Sequence, residues 1–366
     1  MKYKNPLTLI LTRTSAHWDR EETRPSVRKV FDRATLCRTT DLGAEIYASE
    51  NQELIHYHTC KSRACPSCGH RANVQWLRER WAALPTTPYK GITFTMPDLL
   101  WPFFCDNPPL ARVLSALAAE VIRAQVSARY GLRIGAIAIL HTFNGRLEFN
   151  PHVHTMITGG GLHMSSGIWS PGVYYDQDRL MKAWQKAIIA LLRAALRADQ
   201  LRTELTVGQM GDLLTHLEKC WWSIKIQSFE DKWHFLQYAG RYVRRPPIAQ
   251  RRITWIGERT VRFWYKDKKL HRKVEVQCPL KEFVDRWAQH ILEGYQHAVR
   301  NFGVFAPRAL GQTSAAIFVI LRQERRPRPK PRRWAQSIQR DFGHDPLLDH
   351  KGNTMKWVRR LAPSNG

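Results

Sequence analysis

The sequence predicts an α+β protein in which a small cysteine-rich unit precedes a larger domain of strands and helices. Three observations predict this class. Cysteines cluster between Cys60 and Cys68, with the spacing of a metal-binding loop. Apolar segments with strand-like alternation are joined by reversal signals such as Asn144-Gly145. Longer segments, for example 180–201, repeat apolar residues with the period of an amphipathic helix.

Composition and charge narrow the function. The 366 residues, 43% of them hydrophobic, are enough for one large core or two modest ones. The 57 Lys and Arg against 31 Asp and Glu give a net charge of +26, which indicates a polyanionic partner, nucleic acid first. The basic residues are spread among aromatic ones, and no apolar run is long enough to span a bilayer. We therefore expect no membrane association and no signal peptide, and no feature indicates a small-molecule substrate.

The cysteine-rich loop predicts a structural zinc site. In Cys65-Pro-Ser-Cys68-Gly the turn lets two thiolates reach one zinc ion, and Cys60 is the third expected ligand. The odd total of seven cysteines fits a reducing compartment better than a disulfide framework, so we expect a cytoplasmic protein. The fourth ligand is left open among Cys37, His56, His58 and His70.

Composition shifts divide the chain into four predicted units. These are a basic N-terminal segment (1–36), a zinc-binding domain (37–84), a larger domain (85–321) and a basic, proline-rich C-terminal tail (322–366). A helix over 73–84 ends before Pro85, and a strand over 89–97 opens the larger domain. Near its end, 283–299 is predicted to be helical. The linker after Arg322 is too rich in proline and charge to pack a core.

A strand over 150–158 carries two histidines two residues apart. Side chains alternate along a strand, so His152, His154 and Met156 share one face, and Val153, Thr155 and Ile157 face the core. Imidazoles bind transition metals and can support magnesium or manganese together with oxygen donors. The pair therefore indicates a site that holds a divalent cation where a phosphate is attacked.

The preceding strand, 133–142, suggests a third ligand. If Asn144-Gly145 makes the two strands antiparallel neighbours, His141 lies beside His152. His141 is then the first candidate and Glu148 the second. The alternative is that His141 is simply hydrogen-bonded at a strand end.

A predicted helix over 230–243 contains Tyr238 and Tyr242. Residues four apart lie on the same face of a helix, so both hydroxyls can reach one phosphate. Paired helical tyrosines are more often packing residues, so the pair alone decides nothing. Three neighbouring arginines offer forked donors for phosphate oxygens. They are Arg241, Arg244 and Arg245.

Together these motifs resemble the rolling-circle transposases of the insertion sequence ninety-one family. These are single-strand endonucleases of the HUH superfamily that use a pair of tyrosines. The likeness covers roughly 37–311 and keeps the family's motif order. Its parts are the cysteine loop, Phe94-Thr95-Met96-Pro97, His141-Thr142-Phe143, Asn150-Pro151-His152-Val153-His154, Tyr238-x3-Tyr242, Arg245-Pro246-Pro247-Ile248-Ala249 and Arg252-Ile253.

The resemblance implies an HUH-type antiparallel sheet with flanking helices, preceded by a small zinc-ribbon-like domain. It further implies that His152 and His154 bind Mg²⁺ or Mn²⁺ and that Tyr238 and Tyr242 form 5′-phosphotyrosine bonds. The substrates would be single-stranded transposon-end DNA and target DNA, and the protein would act at the nucleoid of a bacterium. A relaxase or replication initiator uses the same site, and a non-catalytic zinc-ribbon DNA-binding protein is the alternative of a different class.

Two departures from the family pattern stand out. Family members commonly carry a further ribbon cysteine pair where this chain has 47–51, and a second pair near the C-terminus, where 345–352 has none. The zinc site is therefore expected to be completed by Cys37 or a histidine, and no metal is predicted near the C-terminus.

Overall fold

The computed structural model describes residues 5–66, 68–267, 270–309 and 312–364, so Ser67 of the cysteine loop and the first four residues lie outside the described residues. The α-helices are α1 (Pro6–Arg13), α2 (Ser15–Trp18), α3 (Pro25–Thr35), α4 (Gly69–Ala83), α5 (Trp101–Asp106), α6 (Pro108–Tyr130), α7 (Gln177–Arg197), α8 (Val207–Lys219), α9 (Lys232–Val243), α10 (Leu280–Ala288), α11 (Gln312–Ile320) and α12 (Trp334–Phe342). The strands are β1 (Ala44–Ala48), β2 (Glu53–Tyr57), β3 (Tyr89–Phe94), β4 (Leu132–Arg133), β5 (Gly135–Phe143), β6 (Phe149–Thr158), β7 (Gly161–His163), β8 (Trp169–Ser170), β9 (Ile224–Phe229), β10 (Ile253–Ile256), β11 (Thr260–Lys266), β12 (Lys273–Pro279), β13 (Val299–Gly303) and β14 (Lys356–Leu361). Within these ranges no helix has the length and apolar character to cross a membrane.

The centre of the molecule is a five-stranded sheet in the order β13-β5-β6-β3-β9. Every neighbouring pair in it is antiparallel. The β5–β6 turn is closed by the Asn144 side chain, whose Oδ1 accepts from the backbone N–H of Arg146 (2.8 Å) and of Glu148 (3.1 Å). This sheet with its flanking helices confirms the predicted α+β class.

Both faces of the sheet are covered. Val153 and Ile157 of β6 pack into the largest core cluster, together with residues of α5, α6, α7 and α8. Met156 points to the opposite face and packs against residues of α9. The alternation predicted along β6 is therefore correct, but its histidine face is also largely covered by α9: His154 and Met156 are buried and His152 is half-buried.

Helix α9 is defined by its two ends. At its start the Asp231 side chain accepts from the backbone N–H of His234 at 2.9 Å, which caps the helix. At its end Arg244 leaves the helical conformation, two residues before Pro246. Helix α4 packs along α9, where the Asn73 side chain donates to the Gly240 carbonyl at 2.9 Å. The helix that follows the cysteine loop thus supports the tyrosine helix directly.

The N-terminal helices form a second core. Residues of α1 and α3 pack with residues of β11, β12 and α10. At its centre Phe31 stacks on Trp287, with ring centroids 5.0 Å apart. The basic segment 1–36 therefore includes folded helices that are attached to a part of the chain more than two hundred residues away.

The C-terminal segment returns to the zinc-binding region. The sequence predicted a tail after Arg322, and 323–333 does lack regular structure. However, α12 and β14 follow, and β14 pairs antiparallel with β1, completing the sheet β14-β1-β2. A two-stranded hairpin is marginal by itself, so the third strand stabilises it and covers an edge that would otherwise be exposed.

The helix predicted over 283–299 is wrong beyond Ala288. Helix α10 ends at Ala288, Tyr295 has a positive φ of 62°, and Val299 begins the edge strand β13. That strand pairs with β5, for example Val299 with Ile139. Pairing with a distant strand overrides a local helical pattern.

Candidate active site and zinc centre

Three histidines converge on the α9 side of the central sheet. In the β5–β6 pairing His141 is opposite His152, and His154 lies between Ile139 of β5 and Thr93 of β3. One ring nitrogen from each histidine lies within 4.8 Å of the others. The sequence placed His141 beside His152, and the structure has this register. Glu148, the second candidate ligand, is outside the cluster and accepts from the Asn144 amide at 2.7 Å.

Hydrogen bonds orient the three rings. His141 Nε2 donates to the Tyr242 carbonyl oxygen at 2.8 Å, and His152 Nδ1 donates to the Asn150 carbonyl oxygen at 2.7 Å. A carbonyl only accepts, so the second nitrogen of each ring carries the lone pair. His154 Nδ1 lies 3.1 Å from the Thr93 hydroxyl, which accepts when Nε2 carries the lone pair. This is how metal-binding histidines are usually held in place.

Burial keeps His141 in the neutral form that a metal requires. Desolvation lowers its pKa well below the usual value, and the neighbouring His152 and His154 lower it further. Three neutral imidazoles fit a divalent ion. Because all three donors are nitrogens, Mg²⁺ or Mn²⁺ would need oxygen donors from water or a phosphate to complete its coordination.

The two tyrosines of α9 lie against this cluster at different depths. The Tyr242 ring stacks on the His154 ring, with centroids 3.7 Å apart. The Tyr238 ring lies 6.4 Å from His154 and 4.9 Å from Tyr242, and it is 9% exposed. Burial, assisted by the nearby Tyr238, raises the pKa of Tyr242 to about 12. Both phenols therefore stand within reach of groups that could bind one phosphate.

Tyr238 is held by residues that sequence reasoning missed. Its hydroxyl lies 3.5 Å from the Thr93 hydroxyl, which also contacts His154. Its ring packs on Gly91 of β3, where a Cβ atom would lie 3.1 Å from Tyr238 Cε1. A glycine inside a strand indicates close approach of another group. The sequence showed the glycine within the predicted strand, but it did not show that Tyr238 is the group that packs on it.

The predicted DNA-binding arginines surround the end of α9. Arg241, Arg244 and Arg245 are exposed, and no carboxylate among the described residues forms an ion pair with them. A fourth arginine, Arg63, reaches the same place from the cysteine loop. Its Nη2 lies 3.4 Å from the Tyr242 carbonyl oxygen, and burial lowers its pKa to about 10, so it keeps its charge at neutral pH.

Four cysteines form a second cluster, separate from the histidines. The Sγ–Sγ distances are 3.9 Å for Cys37–Cys65, 3.6 Å for Cys37–Cys68 and 3.6 Å for Cys60–Cys68. Four sulfurs around one zinc at about 2.3 Å would be about 3.8 Å apart, so the cluster fits a tetrahedral zinc site. Hydrogen bonds from Cys37, Cys60 and Cys65 lower the pKa of Cys68, which favours the thiolate form that binds zinc.

The three histidines considered as alternative zinc ligands have other partners. His58 Nδ1 bonds the Leu42 carbonyl oxygen at 3.0 Å, and the His56 ring stacks on Trp334 at 3.8 Å. His70 Nε2 lies 3.1 Å from a carboxylate oxygen of Asp341. The structure therefore brings Cys37, and none of these histidines, to the other three cysteines.

Comparison with known proteins decides the family. Residues 135–312 match the family described as "Putative transposase", and residues 10–96 match the family described as "Transposase zinc-binding domain". The chain is 31% identical over 325 residues to the "Transposase for insertion sequence element IS801" of Pseudomonas savastanoi pv. phaseolicola, which is 84% of this chain and 76% of that protein. The chain belongs to the IS91 family of transposases.

The family assignment confirms the resemblance seen in the motifs. This transposase is also 28% identical over 297 residues to "Putative transposase y4qJ" of Sinorhizobium fredii, which is 77% of this chain and 75% of that protein. No solved structure matches the chain. As a transposase it acts on DNA, and the zinc-binding domain match together with the four-cysteine cluster supports a structural zinc. That match begins at residue 10, within the predicted N-terminal segment.

Proposed function

We propose that the transposase nicks and rejoins single-stranded transposon-end DNA through covalent bonds to Tyr238 and Tyr242. The observation that carries the proposal is the contact between the tyrosine helix and the histidine cluster. Tyr242 stacks directly on His154, and the Tyr242 backbone carbonyl accepts from His141. Two helical tyrosines that served only for packing would not need three oriented imidazoles beside their rings.

The histidine cluster is proposed to hold Mg²⁺ or Mn²⁺. When bound, such an ion withdraws charge from the phosphate oxygens and makes phosphorus easier to attack. The protein side chains prepare the site for it. His141 and His152 are oriented by backbone carbonyls, and His154 by Thr93. Cys37, Cys60, Cys65 and Cys68 are proposed to hold the structural zinc.

The proposed reaction conserves the energy of the phosphodiester. The tyrosine oxygen bonds to phosphorus, the bond from phosphorus to the 3′ oxygen breaks, and the leaving strand ends in a 3′-hydroxyl. The proton that the phenol loses ends on the oxygen of that 3′-hydroxyl. Because the pKa of Tyr242 is about 12, its phenol is protonated at neutral pH and must lose the proton as the new bond forms. In rejoining, a 3′-hydroxyl attacks the phosphotyrosine and the same steps run in reverse.

Two tyrosines suit a transfer between two strands. Residues four apart in a helix are about 6 Å apart along the axis, close to the spacing of neighbouring phosphates. Tyr238 lies deeper, near Thr93, and Tyr242 lies on His154, so their surroundings differ. We propose that each accepts a different DNA end, so that the second end is captured before the first is released.

The test is strand transfer with single-stranded oligonucleotides that carry the element's end and a target sequence. Tyr238→Phe and Tyr242→Phe each keep the ring and remove the hydroxyl. Each single variant is expected to form some covalent 5′ adduct but to transfer poorly, and the double variant to form none. Full transfer by either single variant would refute distinct roles. A non-catalytic DNA-binding protein would bind the oligonucleotide without any adduct in the unmodified protein.

A further inference from the structure

We propose that Arg63, in the zinc-binding loop, belongs to the active site and holds a phosphate of the DNA strand beside the tyrosine helix. This inference rests on the proposed function, because it places the DNA strand along α9. The zinc-binding domain then supplies a residue to the active site, in addition to any role that its positive charge has in DNA binding. Nothing in the motifs of the histidine or tyrosine segments assigns a role to this residue.

The position of Arg63 is fixed from both sides. It lies between Cys60 and Cys65, two members of the sulfur cluster. The start of α4, just after the cluster, is in close contact with the end of α9: a Cβ atom on Gly69 would lie 2.7 Å from the Arg244 carbonyl oxygen. The cysteine loop therefore cannot move away from the tyrosine helix without breaking this packing. Arg63 is carried to the last turn of α9 as a result.

An open cavity of about 390 Å³ begins where Arg63 meets α9. Its lining includes Arg63, Arg244 and Arg245, together with Thr142, the residue that follows His141 in β5. A volume of this size accommodates a phosphate with part of its sugar. The cavity therefore gathers three arginines beside the end of α9, and the Tyr242 carbonyl oxygen, to which both Arg63 and His141 donate, connects this group to the histidine cluster.

The charge of this cavity is not neutralised by the protein. In the described part of the chain, Arg63, Arg244 and Arg245 form no ion pair. One carboxylate, that of Glu293, also lines the cavity, but it is bound by Arg24. Three guanidinium groups around one concave surface fit an anion with several acceptor oxygens, which is the chemistry of a DNA phosphate.

A purely structural role is the rival explanation for Arg63. Its Nη2 donates to the Tyr242 carbonyl, so Arg63 could serve only to complete the C-terminal end of α9. That bond is 3.4 Å long, whereas His141 donates to the same oxygen at 2.8 Å. A guanidinium has five N–H donors, and one long bond to a carbonyl uses a small part of that capacity. The two explanations make different predictions about individual DNA phosphates.

The test measures binding without cleavage, in a Tyr238→Phe/Tyr242→Phe background. The probe is a fluorescent single-stranded oligonucleotide of the element's end, made as a series in which one phosphate at a time is replaced by a neutral methylphosphonate. We expect one linkage near the cleavage position to weaken binding by about tenfold when neutral. In Arg63→Gln the same replacement should have almost no further effect, because its partner is gone. Lys61→Gln, an exposed change of the same charge in the same loop, should keep the full effect.

If Arg63→Gln responds to every methylphosphonate as the parent does, Arg63 holds no phosphate and the proposal is wrong. Arg63→Lys provides a second variant, since it keeps the charge and loses the fork, and it should retain part of the tenfold effect. Zinc content and the melting temperature are measured for each variant, so that a misfolded protein is recognised. Failure of the unmodified protein to form a tyrosine adduct would refute the proposed function and leave this binding result standing.

Discussion

Replacing Gly91 by alanine should impair the proposed chemistry of Tyr238 and leave that proposed for Tyr242 largely intact. The added Cβ would lie 3.1 Å from Tyr238 Cε1 and 3.3 Å from Phe229 Cε2. Carbon atoms in contact prefer about 3.5–4.0 Å, so the tyrosine ring must shift by about half an ångström. Excess packing of this kind costs about 1–3 kcal/mol.

That cost sets the expected size of the effect. If this cost appears as displacement of the Tyr238 hydroxyl, the rate of adduct formation through Tyr238 falls by about fivefold to about 150-fold. The assay uses two backgrounds. Tyr242→Phe leaves Tyr238 as the only nucleophile of the pair, and Tyr238→Phe leaves Tyr242. Covalent attachment of a labelled single-stranded oligonucleotide is followed over time in each.

Gly211→Ala is the matched control. No atom lies within 4 Å of the position that a Cβ atom on Gly211 would take. Gly211 also lies on α8, which packs on the side of the sheet opposite to α9. Gly211→Ala should change neither rate. Gly91→Ala should slow attachment in the Tyr242→Phe background and have little effect in the Tyr238→Phe background. Equal rates for Gly91→Ala and its parent when only Tyr238 is available would refute the argument that this glycine positions the nucleophile.

Three further predictions concern the metals and the core. Cys37→Ser should abolish stoichiometric zinc binding measured by elemental analysis and lower the melting temperature, whereas a full equivalent of zinc in this variant would exclude Cys37 as a ligand. His152→Ala and His154→Ala should each abolish metal-dependent cleavage while oligonucleotide binding persists, and normal cleavage in the presence of a chelator would contradict the assignment of the histidines. Burial lowers the pKa of His290 to about 4 from an ordinary value near 6.5, so the unfolded chain takes up the proton first as pH falls. This contribution of His290 to the free energy of unfolding is complete above pH 6.5 and is lost as pH falls toward 4, by up to about 3 kcal/mol. His290→Asn should therefore weaken the pH dependence of the free energy of unfolding, measured in urea, between pH 6.5 and 4. The same pH dependence in the variant and its parent would contradict this.

The sequence was sufficient where local patterns determine the structure. The Asn144-Gly145 reversal predicted the hairpin that sets His141 beside His152, and alternation along β6 predicted which side chains share a face with the histidines. The four-residue spacing placed Tyr238 and Tyr242 on one helix. Each of these features depends on residues within about twenty positions of one another, where strand and helix periods are informative.

Contacts between distant segments could not be predicted in this way. Cys37 joins the cysteine cluster across 28 residues from Cys65, and spacing alone did not distinguish it from three nearby histidines. Strand β14 pairs with β1, although more than three hundred residues separate the two strands and the proline-rich segment before β14 indicated a tail. Thr93 and Arg63 acquire their positions only when β3 and the cysteine loop pack against α9. The periodic patterns of single helices and strands carry no information about such contacts between distant segments.

Both tyrosines of α9 are proposed to bond covalently to DNA. Trypsin cleaves after Lys232, Arg241 and Arg244, so the two tyrosines fall in separate peptides, 233–241 and 242–244. The measurement is mass spectrometry of these peptides after the unmodified transposase has reacted with single-stranded end DNA and Mn²⁺, followed by nuclease treatment. We expect a nucleotide attached through phosphate to Tyr238 in one peptide and to Tyr242 in the other. Cleaved DNA with neither peptide modified would contradict this.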